Sequence, residues 1–498
     1  MQLYGRRKIF TDVTDINASN IEQVIAETMT VHRLNRAEID YLRWYVRGSQ
    51  PILLREKKVR KDVCSRVVMN IAQECLDFKI GYLWGEPVCI VRRDGEKTHN
   101  GLAVFNDYMT EQGKYDVDQE LANDFCICGL AYRMVFPNPK AYEDSPFVIP
   151  KLDPETTYCV YQNDAFKRKA LAVSFCEHRD GTMTCTAYTD NLVFELRSSI
   201  LGGGLKLVNT VANGIGIIPI VEYEAPDRAG IAFERALPLL DACNVLASNR
   251  LDDIQQFVAS ILWIHNADID DEALKKIDEL LAVKTTSATD GGQAVLKYLS
   301  EPLDQTSVQE LQKSLEEHIY ELSGVPGRVQ SSGGSTGTAA ELGEAGWKKV
   351  EYSAKRAEAA WKKGEREMLR VCLAIFDRAR SIPAEVKALR VIDIDIKLPR
   401  SMNYNIVTKT QGGLNMLNMG FHPRDVFKTI GLVDDPEQAY QNAEEGGYLE
   451  RALQRMDGTL KQEQTDEGKK TGDVSNQPNG DEGAAQSVQK QTVVQKRD

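Results

Sequence analysis

Residues 307–346 read SVQELQKSLEEHIYELSGVPGRVQSSGGSTGTAAELGEAG, and what they form decides the fold. Ser307-x-x-Glu310 has the spacing of a capping box, in which hydroxyl and carboxylate satisfy free backbone N–H groups at a helix start. Val308, Leu311, Leu315, Ile319 and Leu322 then recur at three- and four-residue steps, the period of one helix face. Ser323-Gly324-Val325-Pro326 ends that helix, since glycine caps and proline cannot continue it. A glycine-, serine- and threonine-rich stretch follows, nearly uncharged until Glu341. From it a second helix is predicted over roughly 338–380, on the order of 60 Å at 1.5 Å per residue. Gly343, Gly346 and Gly364 lie inside it and predict a kink. It is rich in bases, among them Lys348, Lys349, Lys355, Arg356, Lys362, Lys363, Arg366 and Arg370.

Upstream, Ala232 to about Leu262 is predicted helical, with Pro238 in the first turn. Leu240, Asn244, Ala247, Leu251, Ile254, Val258 and Ile261 make a narrow heptad-like seam, fit for packing on other long helices. A small mixed segment, 263–305, separates the two helices. Before them, residues 17–47 carry helical periodicity in two helices, the first capped by Ser19 or Asn20 and the second stopped by Gly48 and Pro51. Val59, Val63, Val67, Ile71, Cys75 and Phe78 predict an amphipathic helix ending at Gly81, with Arg60, Lys61 and Arg66 on its other face. A turn and a short strand follow in GYLWGEPVCIVRR.

Between about 100 and 225 the period is two. Cys126, Cys128, Leu130, Tyr132 and Met134 fit one face of a strand, and Leu171, Val173 and Phe175 fit another. Arg179-Asp180-Gly181 between Phe175 and the Thr182–Tyr188 strand is a hairpin signal. Gly202-Gly203-Gly204 and Asn213-Gly214 read as turns. After the long helix, Val391–Lys397 alternates as a strand, and short helices run to about Met456. The last 42 residues, from Asp457, are polar and lack aromatics, a disorder signature. The fold class is α+β, mostly helical.

The 498 residues are long enough for roughly three domains. With 61 basic and 73 acidic residues the net charge is −12, which excludes a protein that coats nucleic acid with an even basic surface. No apolar run reaches a membrane span, and MQLYGRRKIFTDVTD lacks the apolar core of a signal peptide. Ten cysteines are too sparse for a disulfide scaffold, so a reducing compartment is expected with most thiols buried. Gly333-Gly334-Ser335-Thr336-Gly337-Thr338 precedes a helix but lacks the lysine of a phosphate loop. Cys126-x-Cys128 lacks the second half of a zinc site. The six histidines form no triad or metal pattern. Asp393 and Asp395 share a strand face and could hold magnesium in a nuclease, although any half-exposed strand alternates so. No cofactor motif and no catalytic constellation is found.

A seamed helix pair cannot bury its apolar edges alone; packing with copies head to tail closes a ring. At this point the chain resembles the portal proteins of long-tailed double-stranded DNA bacteriophages, the siphovirus type. The likeness rests on Asn70-Ile71 through Gly81-Tyr82-Leu83-Trp84-Gly85-Glu86-Pro87, on LPLLDACNVLASNRLDDIQQF from Leu237, and on Ser323–Pro326 followed by Gly334–Gly337. It also rests on Lys397-Leu-Pro-Arg400, Asn403 and GGLNMLNMGFHPRDV. It covers about residues 35–450; each motif alone is weak, and their order carries the resemblance.

The resemblance implies a ring, usually of twelve subunits, at one vertex of a capsid, with DNA entering and leaving through the channel. It implies a wing over 1–236, a first stem helix 237–262, a clip 263–305 and a second stem helix 306–323. A tunnel loop 324–340, a long kinked helix 341–380, a wing return strand 381–400, a crown 401–456 and a disordered tail 457–498 complete it. The implied partners are double-stranded DNA, the terminase large subunit, scaffold, major capsid protein and connector proteins, with no membrane. The place is the virion, with host cytoplasm during assembly. No cofactor, metal or enzyme activity is implied; energy comes from the terminase.

A conduit must not hold DNA tightly, and a loop of hydroxyls and backbone N–H groups meets that demand. The expected DNA contacts are therefore Gln330, Ser331, Ser332, Gly333, Gly334, Ser335, Thr336, Gly337 and Thr338, modulated by Arg328, Lys348 and Lys349. The expected stem packing is Leu240, Leu251, Ile254, Val258, Leu311, Leu315 and Ile319. Two alternatives stand beside it: a metal-dependent nucleic-acid-processing enzyme using Asp393 and Asp395, and a non-portal virion scaffold or adaptor.

Overall fold

The computed structural model describes residues 5–456 except 59–60, 62, 94–99, 141–142, 199–203, 259–260, 266, 269–285, 288–294, 300–304, 327–336, 379–381, 401–405, 431 and 434–435. The chain divides into two compact units, Met1–Pro436 and Glu437–Asp498. The helices are α1 Ile21–Val46, α2 Ile71–Trp84, α3 Asn100–Glu111, α4 Lys114–Cys128, α5 Leu237–Val258, α6 Gln305–Ser323 and α7 Gly337–Arg378. Shorter ones follow: α8 Ala384–Lys387, α9 Ile406–Asn418, α10 Pro423–Ile430, α11 Pro436–Glu445 and α12 Tyr448–Met456. The strands used below are β1 Ile9–Thr11, β2 Cys89–Arg92, β3 Leu130–Met134, β4 Lys151–Leu152, β5 Thr157–Gln162, β6 Lys169–Glu177, β7 Met183–Tyr188, β8 Leu192–Arg197 and β9 Lys206–Ala212. After them come β10 Ile220–Glu224, β11 Ile261–His265, β12 Val295–Leu299 and β13 Ile394–Lys397. The class is α+β, as expected.

Sheet topology follows the turn chemistry. A six-stranded sheet has the order β1-β5-β6-β7-β8-β9, with β1 parallel to β5 and the rest antiparallel. Asp180-Gly181 makes the β6–β7 hairpin: Gly181 sits at φ +79°, and Asp180 Oδ1 accepts the Thr182 N–H at 2.9 Å. Asn213-Gly214 turns the chain between β9 and β10. Leu171, Val173 and Phe175 of β6 face the N-terminal half of α1, burying Ile21, Val24 and Ile25 in one core. A second sheet, β10-β3-β4, and the pair β13-β2 flank a larger core between α2, α4 and α7. Trp361 of α7 is its centre, with ring centroids 4.8 Å from Trp84, 5.4 Å from Phe125 and 4.8 Å from Tyr223.

Several expectations are corrected. Within 17–47 there is one helix, Ile21–Val46, not two. Cys126 and Cys128 end helix α4 rather than sharing a strand face with Leu130; Gly129 at φ +75° caps the helix, and only then does β3 begin. Both thiols are fully buried, and burial pushes Cys126 up to about 12. Residues 100–128 are likewise the helices α3 and α4. The helix expected over 59–81 is confined to Ile71–Trp84, because Asn70 adopts φ +48° and the chain before it bonds elsewhere. The helix from Leu237 ends at Val258, and a strand pair, β11-β12, follows. Val391–Asp393 is a 3-10 turn, so the strand begins only at Ile394.

The long helix is unbroken from Gly337 to Arg378. Gly364 does not break it but brings it close to β10: a Cβ there would lie 2.5 Å from the Tyr223 ring. Beside it a buried ion network fastens α7 to the body. Glu365 accepts from Tyr223 Oη at 2.8 Å and Arg133 at 3.2 Å, and pairs with Lys114 at 3.0 Å. Arg133 and Lys114 both also hold Asp118. Burial alone would raise the Asp118 carboxyl, but these two cations keep it below the usual range.

Candidate functional site: a helix pair and the anchors of its loop

The α5–α6 pair is the part of the sequence that promised an interface. Its root is polar and tightly fixed. Residues 63–69, expected as helix, instead run beside α5, and their alternate N–H groups bond three side chains one turn apart. Ser65 N–H donates to Asp252 Oδ1 at 2.6 Å, Val67 N–H to Ser248 Oγ at 2.9 Å and Met69 N–H to Asn244 Oδ1 at 2.9 Å. The geometry matches because two residues of extended chain advance about 6.7 Å and four helical residues rise about 6.0 Å. Asp252 also pairs with Lys57 at 2.6 Å and Arg55 at 3.1 Å. Burial alone would raise its carboxyl; hydrogen bonds from Lys57 and Ser65 hold it at about 2. By spacing Asn244 belongs to the apolar seam, and the sequence signal of the ladder is the run of polar residues at 244, 248 and 252.

The pair also leaves apolar side chains uncovered in the single chain. Val245, Leu251 and Ile254 of α5 and Leu311 and Leu322 of α6 are all exposed, Leu311 and Leu322 to about half their area. Of the expected packing residues, Leu240 and Ile319 are buried in the body and Leu315 packs against the core. Leu251, Ile254 and Leu311 are exposed in the single chain, and the Val258 side chain lies outside the described residues. Ser307 falls inside the first turn of α6, which begins at Gln305.

The loop between α6 and α7 has well-defined anchors. Gly324, at φ +61°, closes α6: Val325 N–H donates to the Tyr320 carbonyl at 2.9 Å and Gly324 N–H to that of Glu321 at 3.2 Å, the two bonds of a Schellman cap. Lys79 of α2, 2% exposed, donates from Nζ to the Gly324 carbonyl at 2.9 Å and to Ser353 Oγ of α7 at 3.3 Å. Burial pulls its amine down to about 8. Lys349 of α7 pairs with Glu321 of α6 at 2.6 Å. Thus one buried amine and one surface ion pair tie together the helices from which the loop leaves and to which it returns. Gln330 to Thr336 and Arg328 lie outside the described residues; Gly337 and Thr338 open α7, and Lys348 is exposed on it.

Asp393 and Asp395 do not share a strand face. Asp393 lies in the 3-10 turn, gripped by Arg390 through two bonds of 2.9 Å, while Asp395 Oδ1 accepts the Ile396 N–H at 3.0 Å. Among the described residues no group of three or more His, Cys, Asp or Glu side chains is placed to hold a metal ion. All ten thiols are free, and seven are buried. No helix of the described residues is long and apolar enough to cross a membrane.

An α+β body thus carries a helix pair with exposed apolar side chains, and a long helix follows the glycine-rich stretch of the sequence. Residues 28–451 match the family described as phage portal protein, SPP1 Gp6-like, and the chain belongs to that family. No curated protein matches the chain. Among solved structures, a chain of the "Neck of empty GTA particle computed with C6 symmetry" is similar at 13% identity and a TM-score of 0.39, covering 80% of this chain and 94% of its own.

Proposed function

We propose that the chain forms a closed ring at one capsid vertex, twelve subunits in number, through which double-stranded DNA is packaged and ejected. The observation that carries this is the apolar side chains that the pair leaves exposed, Leu251 and Ile254 of α5 and Leu311 of α6, on helices whose other residues are buried or bonded into the body. Apolar surface of that kind on a fixed element is covered by a like element of the next copy, and head-to-tail repetition closes the ring.

In this reading residues 1–236 with 381–400 are the wing, 237–262 and 306–323 the stem, 263–305 the clip, 324–340 the tunnel loop and 401–456 the crown. The helix 341–380 joins loop to wing, and the polar stretch from 457 is the disordered tail. The loop residues Gln330–Thr338 touch passing DNA, with Arg328, Lys348 and Lys349 adjusting the contact. The clip meets the terminase large subunit and later connector proteins, the wing meets the major capsid protein, and scaffold recruits the ring. A ring at the capsid vertex acts in the virion, and the energy for packaging comes from the terminase.

The test is the mass and shape of the purified assembly, by mass photometry and negative-stain images. Twelve chains of 55.7 kDa give a ring of about 670 kDa with a central hole. A compact dimer or tetramer without a hole overturns the reading. Replacing 330–338 by a short glycine linker then tests the loop: packaging or DNA retention should fall, and normal values for both would remove the loop from the mechanism.

A further inference from the structure

We propose that the outward face of α7 is a track for the phosphate backbone of duplex DNA, separate from the loop contacts; the proposal rests on the reading of the chain as a DNA conduit. At 100° per residue, Lys348, Tyr352, Lys355, Lys363, Arg366 and Arg370 fall within one narrow sector of the helix, and all are exposed. The opposite sector is the buried one, with Val350, Ala354, Ala357, Trp361, Met368 and Cys372 in the core. The stripe is therefore pinned outward by the packing of the helix and the ion network at Glu365, not free to roll.

Three features make this more than a solvated surface. First, its sector holds no carboxylate from Lys348 to Arg370, although the whole chain carries −12. Acids reach it from the sides: Glu351 pairs with Lys355 at 2.7 Å, and Glu224 with Lys363 at 3.6 Å. Arg366 and Arg370 make no ion pair among the described residues. Second, Tyr352, 72% exposed, lies in line with the cations, offering a ring and hydroxyl beside them. Third, the stripe spans 22 residues, about 33 Å at 1.5 Å each, close to the roughly 34 Å of one duplex turn.

Paired in part already, the stripe presents a modest net positive charge per chain. Such contacts hold DNA in a salt-sensitive way without base readout. That suits a moving polyanion, which must be held without being stalled.

The experiment uses the full-length assembly with a fluorescent 30-base-pair duplex and a salt series, comparing wild type with Lys355→Gln/Lys363→Gln/Arg366→Gln/Arg370→Gln. The expected result is at least a tenfold loss of affinity at low salt and a shallower salt dependence, by about 0.9 in slope for each contact removed. Arg366→Gln/Arg370→Gln breaks no ion pair and gives the same direction if the fourfold variant folds poorly. Mass photometry runs on the same samples. Unchanged DNA binding in an intact ring overturns the track and leaves the ring standing. Loss of assembly mass in the double variant means the stripe packs on a neighbouring copy, which also overturns it. A wild-type protein that forms no ring fails the reading beneath it instead.

Discussion

Gly364 is a residue whose role reverses between sequence and structure. In an isolated helix glycine is a weak point, about 1 kcal/mol worse than alanine. Here a side chain would strike the Tyr223 ring, whose hydroxyl is held by Glu365 and whose neighbour Trp361 fills the core. Gly364→Ala should therefore lower stability by about 1–3 kcal/mol, the cost of overpacking. Gly81→Ala, in α2 with open space at its Cβ, should instead raise it by up to about 1 kcal/mol. Thermal melts of the two variants check the pair; a Gly364→Ala protein as stable as wild type would remove the close-approach argument.

Lys79 makes a second residue-scale prediction. Its amine titrates at about 8 in the fold, lowered by burial from an ordinary 10.5. Between those values the unfolded chain binds more protons than the folded one, so this residue's contribution to stability rises as pH rises from about 8 to about 10.5. Lys79→Met keeps the length and removes the titration. Wild type should gain about 1–3 kcal/mol on the variant across that window, read by denaturant titrations at several pH values. Parallel profiles would count against it.

At the scale of elements, the sequence was legible where a local signal had no rival. Asp180-Gly181 gave its hairpin, Ser323–Pro326 its helix stop, and Leu171, Val173 and Phe175 their buried strand face. It misled where a tertiary partner captured a segment with good local periodicity. Val63, Val67 and Ile71 have helical spacing, yet Asn244, Ser248 and Asp252 take the backbone N–H groups before Asn70 and hold that chain open. Cys126 and Cys128 sit two apart like strand residues, but the helix already running from Lys114 carries through them to the turn at Gly129. The ladder gives its own test. Asn244→Ala/Ser248→Ala should free the strap and speed proteolysis within 55–70 several-fold, with a loss of about 1–3 kcal/mol for the two orphaned N–H groups. Cleavage at the wild-type rate would show that Asp252 with Arg55 and Lys57 holds the strap alone.

For the whole molecule, the sequence supplied the family through order and spacing, while the surface that makes a subunit could only be found in three dimensions. The apolar seam read along α5 splits in the fold: Leu240 turns into the body, and Leu251 and Ile254 turn away from it with Leu311. That split separates folding from assembly and makes the two experimentally distinct. Covering a leucine that is exposed in one chain is worth up to about 1.5–3 kcal/mol, and in a closed ring the gain recurs at every interface. A glutamate there exchanges that gain for a charge that must be desolvated without a partner. Leu251→Glu/Leu311→Glu should thus leave the melt of the single chain within about 0.5 kcal/mol of wild type, yet shift the mass distribution from ring to monomer. Ile319→Glu, at a side chain fully buried in the main core, should lower the melt itself. If the outward double variant still assembles with wild-type mass, this flank is not the contact between copies, and the ring must close through other surfaces of the chain.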